Sequence, residues 1–325
     1  MRACAQGFSL IHMIIDMHTH AGWGRLSGPV DRANLETMKP GGVTAAVVAA
    51  VADAGMIRVN AAGTAIEQHR TAEPGEGWRD TIVQLDAYQA SGFRIAREPD
   101  EIRAGDPAIV LAVEGCDFLD GDLDRFDAMA ERGVRSIQLA HYVVNETADI
   151  QTAPAVHHGL TPFGAEAVRR MQERGIMVDV THCTEATVRG VAKVTRRPFL
   201  CTHSNLIDPN VPNGNHPRFI SRTYAEMVVD SGGVIGAWIA VLFEEGFAGL
   251  VRHLFRLIDA VGVEHVGIGT DMPLGVASDE MPDFRRHQEL AQAMRDRGMT
   301  AAEVEKVCAG NWLRVFRAAR EGIAG

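Results

Sequence analysis

The sequence predicts a (β/α)8 barrel of the TIM type with extra C-terminal helices, and three observations predict it. Eight short, nearly continuous apolar runs recur along the 325 residues, as expected of parallel strands covered by helices. Segments with apolar residues at three- and four-residue spacing lie between most of them. No GxGxxG follows the first run, which removes the usual signature of the runner-up, a doubly wound open sheet. No linker, repeat or low-complexity tract divides the chain, so a single domain over residues 1–325 is expected.

The predicted strands occupy 9–18, 43–52, 108–115, 134–142, 176–183, 198–205, 233–240 and 265–272. A helix is predicted over 78–97. The next, LDRFDAMAERG, ends on Gly133, a residue suited to a left-handed cap. In TPFGAEAVRRMQERG, Thr161 is the expected N-cap, Pro162 opens the first turn and Gly175 closes the helix. TEATVRGVAKVT, SRTYAEMVVDSGG and FAGLVRHLFRLIDAVG follow the same plan. DFRRHQELAQAMRDRG and TAAEVEKVCAGNWLRVFRAAR read as closing helices.

Composition narrows the function. With 46% hydrophobic residues the chain can bury a large core, and a net charge of −10 without a basic cluster argues against a nucleic-acid partner. No apolar run reaches the roughly 18 residues of a membrane span. The N-terminal apolar run leads straight into a strand motif and is read as that strand, not as a signal peptide. The C-terminus shows no lipid-anchor signal. Five scattered cysteines form no CxxC pair, so no disulfide framework is expected, and a reducing, cytoplasmic setting is. Cys183 and Cys201 are read as buried packing residues.

The polar residues of the predicted strands gather at their C-terminal ends. His18 and His20 end the first, Glu114 the third, His141 the fourth, His182 the fifth, His203 the sixth and Asp271 the eighth. In a barrel these ends converge on one face, where active sites sit. Buried charge without a partner is expensive, and a bound cation removes that cost. Imidazole and carboxylate donors suit Zn2+ or a similar divalent ion. Five histidines, a glutamate and an aspartate exceed the needs of one tetrahedral ion, whereas two ions sharing a carboxylate use them economically. Such a pair polarises a carbonyl and turns a bridging water into hydroxide near neutral pH, which is the chemistry of hydrolysis.

Several stretches then show a resemblance: VEGCDFLDGDLDRFDAMAERGVRSIQLAHYVVNETAD, GLTPFGAEAVRRMQERGIMVDVTHCTEATV, RPFLCTHSN, VGVEHVGIGTDM and CAGNWLRVF. They resemble the renal (membrane) dipeptidase family, the M19 peptidases of the amidohydrolase superfamily. Order and spacing hold from residue 108 onward, while the earlier region matches only through its strand-one motif. The resemblance implies that His18 and His20 hold the first ion, that Glu114 bridges both, and that His182 and His203 hold the second. It implies that His141 stabilises the oxyanion of the scissile carbonyl. It gives Asp271 the task of orienting the bridging hydroxide and passing its proton to the leaving amine. It assigns Arg218 to the terminal carboxylate of the substrate.

Two residues depart from that pattern. His20 stands where the family usually has an aspartate, which predicts weaker retention of the first ion or a different metal preference. Phe219 follows Arg218 where the family has an asparagine, and Arg222, one helical turn on, is the alternative carboxylate anchor. His157 and His158 are expected in a solvent-facing loop. Trp238 is assigned either to the pocket or to the barrel core, and His12 and His69 are read as structural. The function expected is a zinc-dependent dipeptidase acting on a small peptide with a free carboxylate. The rival readings are hydrolysis of an N-acyl amino acid, lactone or phosphoester, and a metal-binding homologue without catalysis. No surface patch in the sequence identifies a protein partner, and a homodimer is the assembly kept open.

Overall fold

The structure, a computed structural model, describes residues 11–20, 30–62, 65–210, 214–239, 246–272 and 280–323. Cys4, positions 9–10 of the first predicted strand and position 240 of the seventh lie outside the described residues. Eight parallel strands close into a barrel: β1 (Ile14–Thr19), β2 (Val43–Val51), β5 (Ala108–Glu114), β6 (Val134–Gln138), β7 (Met177–Asp179), β8 (Leu200–Ser204), β9 (Val234–Ala237) and β10 (Val266–Ile268). β10 pairs back onto β1 through Asp16 and Ile268, which closes the ring. The predicted barrel is therefore the observed fold.

Helices follow the strands around the outside: α1 (Arg32–Glu36), α2 (Glu76–Ala90), α3 (Arg125–Arg132), α4 (Pro162–Glu173), α5 (Glu185–Val194), α6 (Arg222–Asp230), α7 (Gly246–Val261) and α8 (His287–Asp296). α9 (Ala301–Glu305) runs through a π-helical turn at Lys306–Gly310 into α10 (Asn311–Arg320). Thr161 caps α4 by accepting from the Gly164 N–H, and Gly133 takes the left-handed conformation after α3, both as expected. α2 stops at Ala90, short of the predicted end at 97, because Ser91 caps it and Gly92 turns the chain at φ 80°.

An antiparallel hairpin, β3 (Ile57–Val59) with β4 (Ile66–Gln68), sits between β2 and α2 and was not expected. Each of its strands has only three residues and mostly exposed side chains, so neither leaves an apolar run to detect.

Inside the barrel β2 and β5 alternate in and out. Ala45, Val47 and Ala49 of β2 and Ala108, Val110 and Ala112 of β5 fill one interior cluster, while Ala46, Val48, Ile109 and Leu111 face the helices. The interior cluster lies towards the strand starts and includes Trp312, Leu313 and Phe316 of α10, so the last helix plugs the bottom of the barrel. The polar residues are left at the opposite mouth. Four cysteines, Cys116, Cys183, Cys201 and Cys308, are free and buried. Among the described residues no helix is long and apolar enough to cross a membrane.

Two glycines let β8, β9 and β10 approach closely beneath the mouth. A Cβ at Gly236 would fall 1.9 Å from the Thr202 carbonyl oxygen, and one at Gly269 would fall 1.7 Å from the same atom. Gly269→Ala is expected to destabilise the fold by at least the roughly 1–3 kcal/mol typical of overpacking. The effect should appear as a lower urea midpoint with an unchanged slope.

Candidate metal centre

Glu114 continues the inward row of β5, one step beyond Ala108, Val110 and Ala112, and so points into the mouth. The same alternation on β1 would send His18 outward with Asp16. A register shift between Asp16 and Thr19 adds a residue there and turns His18 and His20 to the centre. β8 carries a matching shift between Cys201 and Ser204, around His203. His182 and Asp271 reach the centre by another route. Each lies beyond the end of its strand in left-handed backbone, at φ 69° and 61°, a conformation costly for side chains of this size. The observed β6, β7 and β10 are shorter than the predicted runs. His141, His182 and Asp271 stand on the turns that leave the strands.

Five imidazoles surround the Glu114 carboxylate, which is buried. His20 Nε2 lies 3.1 Å from Oε2. The Nε2 atoms of His182, His141, His18 and His203 lie 3.3, 3.5, 3.6 and 3.8 Å from Oε1. Gln138 donates to Oε1 at 2.8 Å. Asp271 Oδ1 stands 3.2 Å from His20 Nε2 and 3.7 Å from His18 Nε2. The structure thus brings His18, His20, Glu114, His141, His182, His203 and Asp271 together. Their donor atoms form three compact groups, each within 4.8 Å: His18 with Glu114 and His203, His18 with His20 and Asp271, and Glu114 with His141 and His182.

The donor set fits divalent cations. His18 Nε2 faces His20 Nε2 at 3.3 Å, and His182 Nε2 faces His203 Nε2 at 3.2 Å, so ring nitrogens converge in pairs. Glu114 Oε2 and Asp271 Oδ1 are buried and lack a hydrogen-bond partner of good geometry among the described residues. A single imidazole N–H on His20 cannot serve both. Burial, with the Arg218 charge, holds His182 well below its usual pKa. Burial, with the charges of His18 and Arg218, does the same to His203, which favours the neutral imidazole at both. Burial alone would raise Glu114, but the charges of His141, His18 and His20 hold it well below the usual range, so it stays ionised. At His20 burial opposes charge, yet the facing Glu114 and Asp271 carboxylates push its pKa up to about 10. The carboxylates demand positive charge at that point.

Beside this cluster lies Arg218, whose side chain is about as buried as the histidines. Its Nη1 donates to Gln151 Oε1 at 2.9 Å, and its guanidinium sits 5.2 Å from the Trp238 ring centre. Its Nε and Nη2 lack a hydrogen-bond partner of good geometry among the described residues, with the Tyr142 hydroxyl the nearby acceptor. Ser204 holds the Arg218 carbonyl at 3.0 Å, and Asn205 bonds the backbone of Trp238 in both directions. The THSN segment therefore positions the arginine and the indole as well as His203. Trp238 is half-buried at the mouth. Arg222 lies exposed on α6, bonded to Glu226 and the Ala260 carbonyl. His157 and His158 are exposed in the loop after β6, and His12 and His69 are exposed and apart from the cluster.

Sequence reasoning missed the residues that hold these groups. Asp16 and Asp179 are buried, and each clamps a threonine of the neighbouring chain segment. Thr270 donates its N–H (3.1 Å) and hydroxyl (2.5 Å) to Asp16, and Thr202 does the same to Asp179 at 3.2 and 2.5 Å. His287 of α8 also meets Asp16, at 3.0 Å. One clamp sits directly below His18 and Asp271, the other below His182 and His203. Their signal was an aspartate two or three places before a histidine in an otherwise apolar run, in IIDMH and MVDVTH. Asp53 was missed as well. It is buried, receives the His141 Nδ1 contact at 2.7 Å, and accepts the Tyr142 N–H at 3.0 Å. Thr202→Val keeps the shape but strips the hydroxyl from Asp179. It is expected to cost about 1–3 kcal/mol, the penalty of a buried acceptor left short, read from urea unfolding.

Comparison with known proteins completes the description. The chain matches the family described as membrane dipeptidase (peptidase family M19) over residues 12–323. It is 28% identical over 259 residues to dipeptidase tcpJ of Claviceps purpurea (strain 20.1), covering 74% of this chain but only 60% of that relative's length. Two solved structures share the fold. The probable dipeptidase PvdM from Pseudomonas aeruginosa superposes with a TM-score of 0.79 at 18% identity, covering 96% of each chain. A metallo peptidase from Rhodobacter sphaeroides, liganded with a phosphinate mimic of the dipeptide L-Ala-D-Ala, superposes with a TM-score of 0.73 at 23% identity, covering 94% of this chain and 99% of that one. A family match along almost the whole described chain, on a barrel whose mouth gathers histidines and carboxylates, makes this protein a member of the membrane dipeptidase family, peptidase family M19.

Proposed function

We propose that the protein is a metal-dependent dipeptidase, folded as one domain, that hydrolyses a small peptide with a free carboxylate. The observation that carries this reading is the juxtaposition of a cation-demanding cluster with a buried guanidinium whose Nε and Nη2 lack partners of good geometry. One group suits a polarised scissile carbonyl, and the other suits the carboxylate at the end of a short substrate. The proposed first site is His18, His20 and Glu114, with Asp271 supplying the negative charge that His20 does not. The proposed second site is Glu114, His182 and His203. Two divalent ions bound there, Zn2+ by donor type, would polarise the carbonyl and lower the pKa of water.

The remaining steps belong to the chain. Arg218, steadied by Gln151 and Trp238, fixes the substrate carboxylate and thereby the distance of the peptide bond from the cluster. His141 presents Nε2 to the carbonyl oxygen as negative charge develops on it. Asp271 Oδ1, at the rim of the cluster, takes a proton and delivers it to the leaving amine. The half-buried Trp238 and the phenol of Tyr142 wall the mouth and limit access of bulk water.

Glu114→Ala and His182→Ala are expected to abolish cleavage of dipeptides assayed with added Zn2+ and to lower bound zinc by elemental analysis. Unchanged hydrolysis in both folded variants would sink the two-ion mechanism. Arg218→Met is expected to raise KM for a free-acid dipeptide by about 10- to 100-fold, the worth of a hydrogen bond to a charged group. It should leave the carboxamide-terminated analogue, a poor substrate throughout, unaffected. An equal effect on both would remove the carboxylate role and favour lactone or phosphoester substrates.

A further inference from the structure

We propose that Asp53 is a positioning residue for His141, gripping the imidazole at Nδ1 so that Nε2 faces the space above Glu114. This rests on the reading of His141 given under the proposed function. Both oxygens of Asp53 act as acceptors: Oδ1 meets His141 Nδ1 at 2.7 Å, and Oδ2 takes the Tyr142 N–H at 3.0 Å. One carboxylate thus fixes a ring and the backbone of the next residue together. It comes from a different strand end, just past β2, and the same segment is tied to Glu114 through the Ala52 N–H to Glu114 carbonyl bond at 2.9 Å.

The other groups around the ring reinforce the orientation. Glu114 Oε1 lies 3.5 Å from Nε2, and the rings of His182 and Tyr142 each pack 4.6 Å from the His141 ring centre, edge to face. Asp117 is the nearby acid; its carboxyl is pushed up to about 8 by burial and by the Asp53 charge, and Asn145 donates to it at 3.2 Å. Among the described residues no lysine or arginine pairs with Asp53; its ion-pair contact is His141. Anchoring the Tyr142 N–H alone needs only a neutral acceptor. A buried carboxylate is costly without a partner, and its partner here is a mouth histidine.

The test uses the zinc-loaded enzyme, a dipeptide substrate and a double-mutant cycle. Asp53→Asn is expected to lower kcat on the order of 10²–10³-fold, the range of a lost oxyanion donor, with KM and zinc content unchanged. In a His141→Ala background the same substitution should change nothing further. Additive losses, or a kcat that survives, would overturn the proposal. Asp53→Ser keeps an acceptor for the Tyr142 N–H and takes the place of the asparagine variant if that one misfolds. A second readout is independent of turnover: long-range ¹H–¹⁵N spectra of the metal-free protein should show a proton on His141 Nδ1, lost in Asp53→Asn. Its absence from the wild type overturns the proposal. Its presence in a wild type that cleaves no dipeptide supports the Asp53 contact and removes the dipeptidase reading instead.

Discussion

A single buried carboxylate, Glu114, must be satisfied by five imidazoles and one amide, and much of the mouth is arranged around that demand. An ionised carboxylate in a water-poor site is tolerable only with positive charge or donors on every side. The barrel delivers them by bending its own rules. β1 and β8 each carry a register shift where strict alternation would aim a histidine at the helices. His182 and Asp271 accept left-handed backbone. These are local costs, and the Asp16 and Asp179 clamps below them offset the loss of regular pairing by tying each irregular end to the next segment.

The two halves of the cluster differ electrically. Burial first, and the Arg218 charge after it, drive His182 and His203 towards the neutral form. His20 faces two carboxylates and is driven the other way. The histidine at position 20 has the Asp271 carboxylate 3.2 Å from its ring. The charge thus runs from a basic side at Arg218 to an acidic one at Asp271. A substrate with a carboxylate at one end and a nascent amine at the other matches that direction.

The barrel was legible because the buried strands are short, largely apolar runs, and the histidines and carboxylates at their ends named the cluster. What escaped was whatever depends on pairing between distant segments. Asp16 and Asp179 sit in plain view within apolar strands, but their meaning lies in Thr270 and Thr202, which only the closed sheet brings near. Asp53 meets His141 across two strand ends, with no spacing rule to connect them. The β3–β4 hairpin left no trace because its strands are too short and exposed to carry a period. Arg218 was assigned to the substrate carboxylate with Arg222 as the alternative. Burial separates them, since one lies within the mouth and the other on the outer face of α6.

The closure of the barrel has a temporal side. β1, which carries His18 and His20, completes its hydrogen bonding with β10, formed from the far end of the chain, and the interior beneath is filled by α10. Contacts of such sequence separation bring their stability only after a large loop entropy has been paid, so they form late. During synthesis the first histidines emerge long before their carboxylate neighbour Asp271 and long before the plug. The cluster is then a property of the finished molecule, and a chain interrupted before its last helix exposes apolar barrel interior instead of a usable cation site.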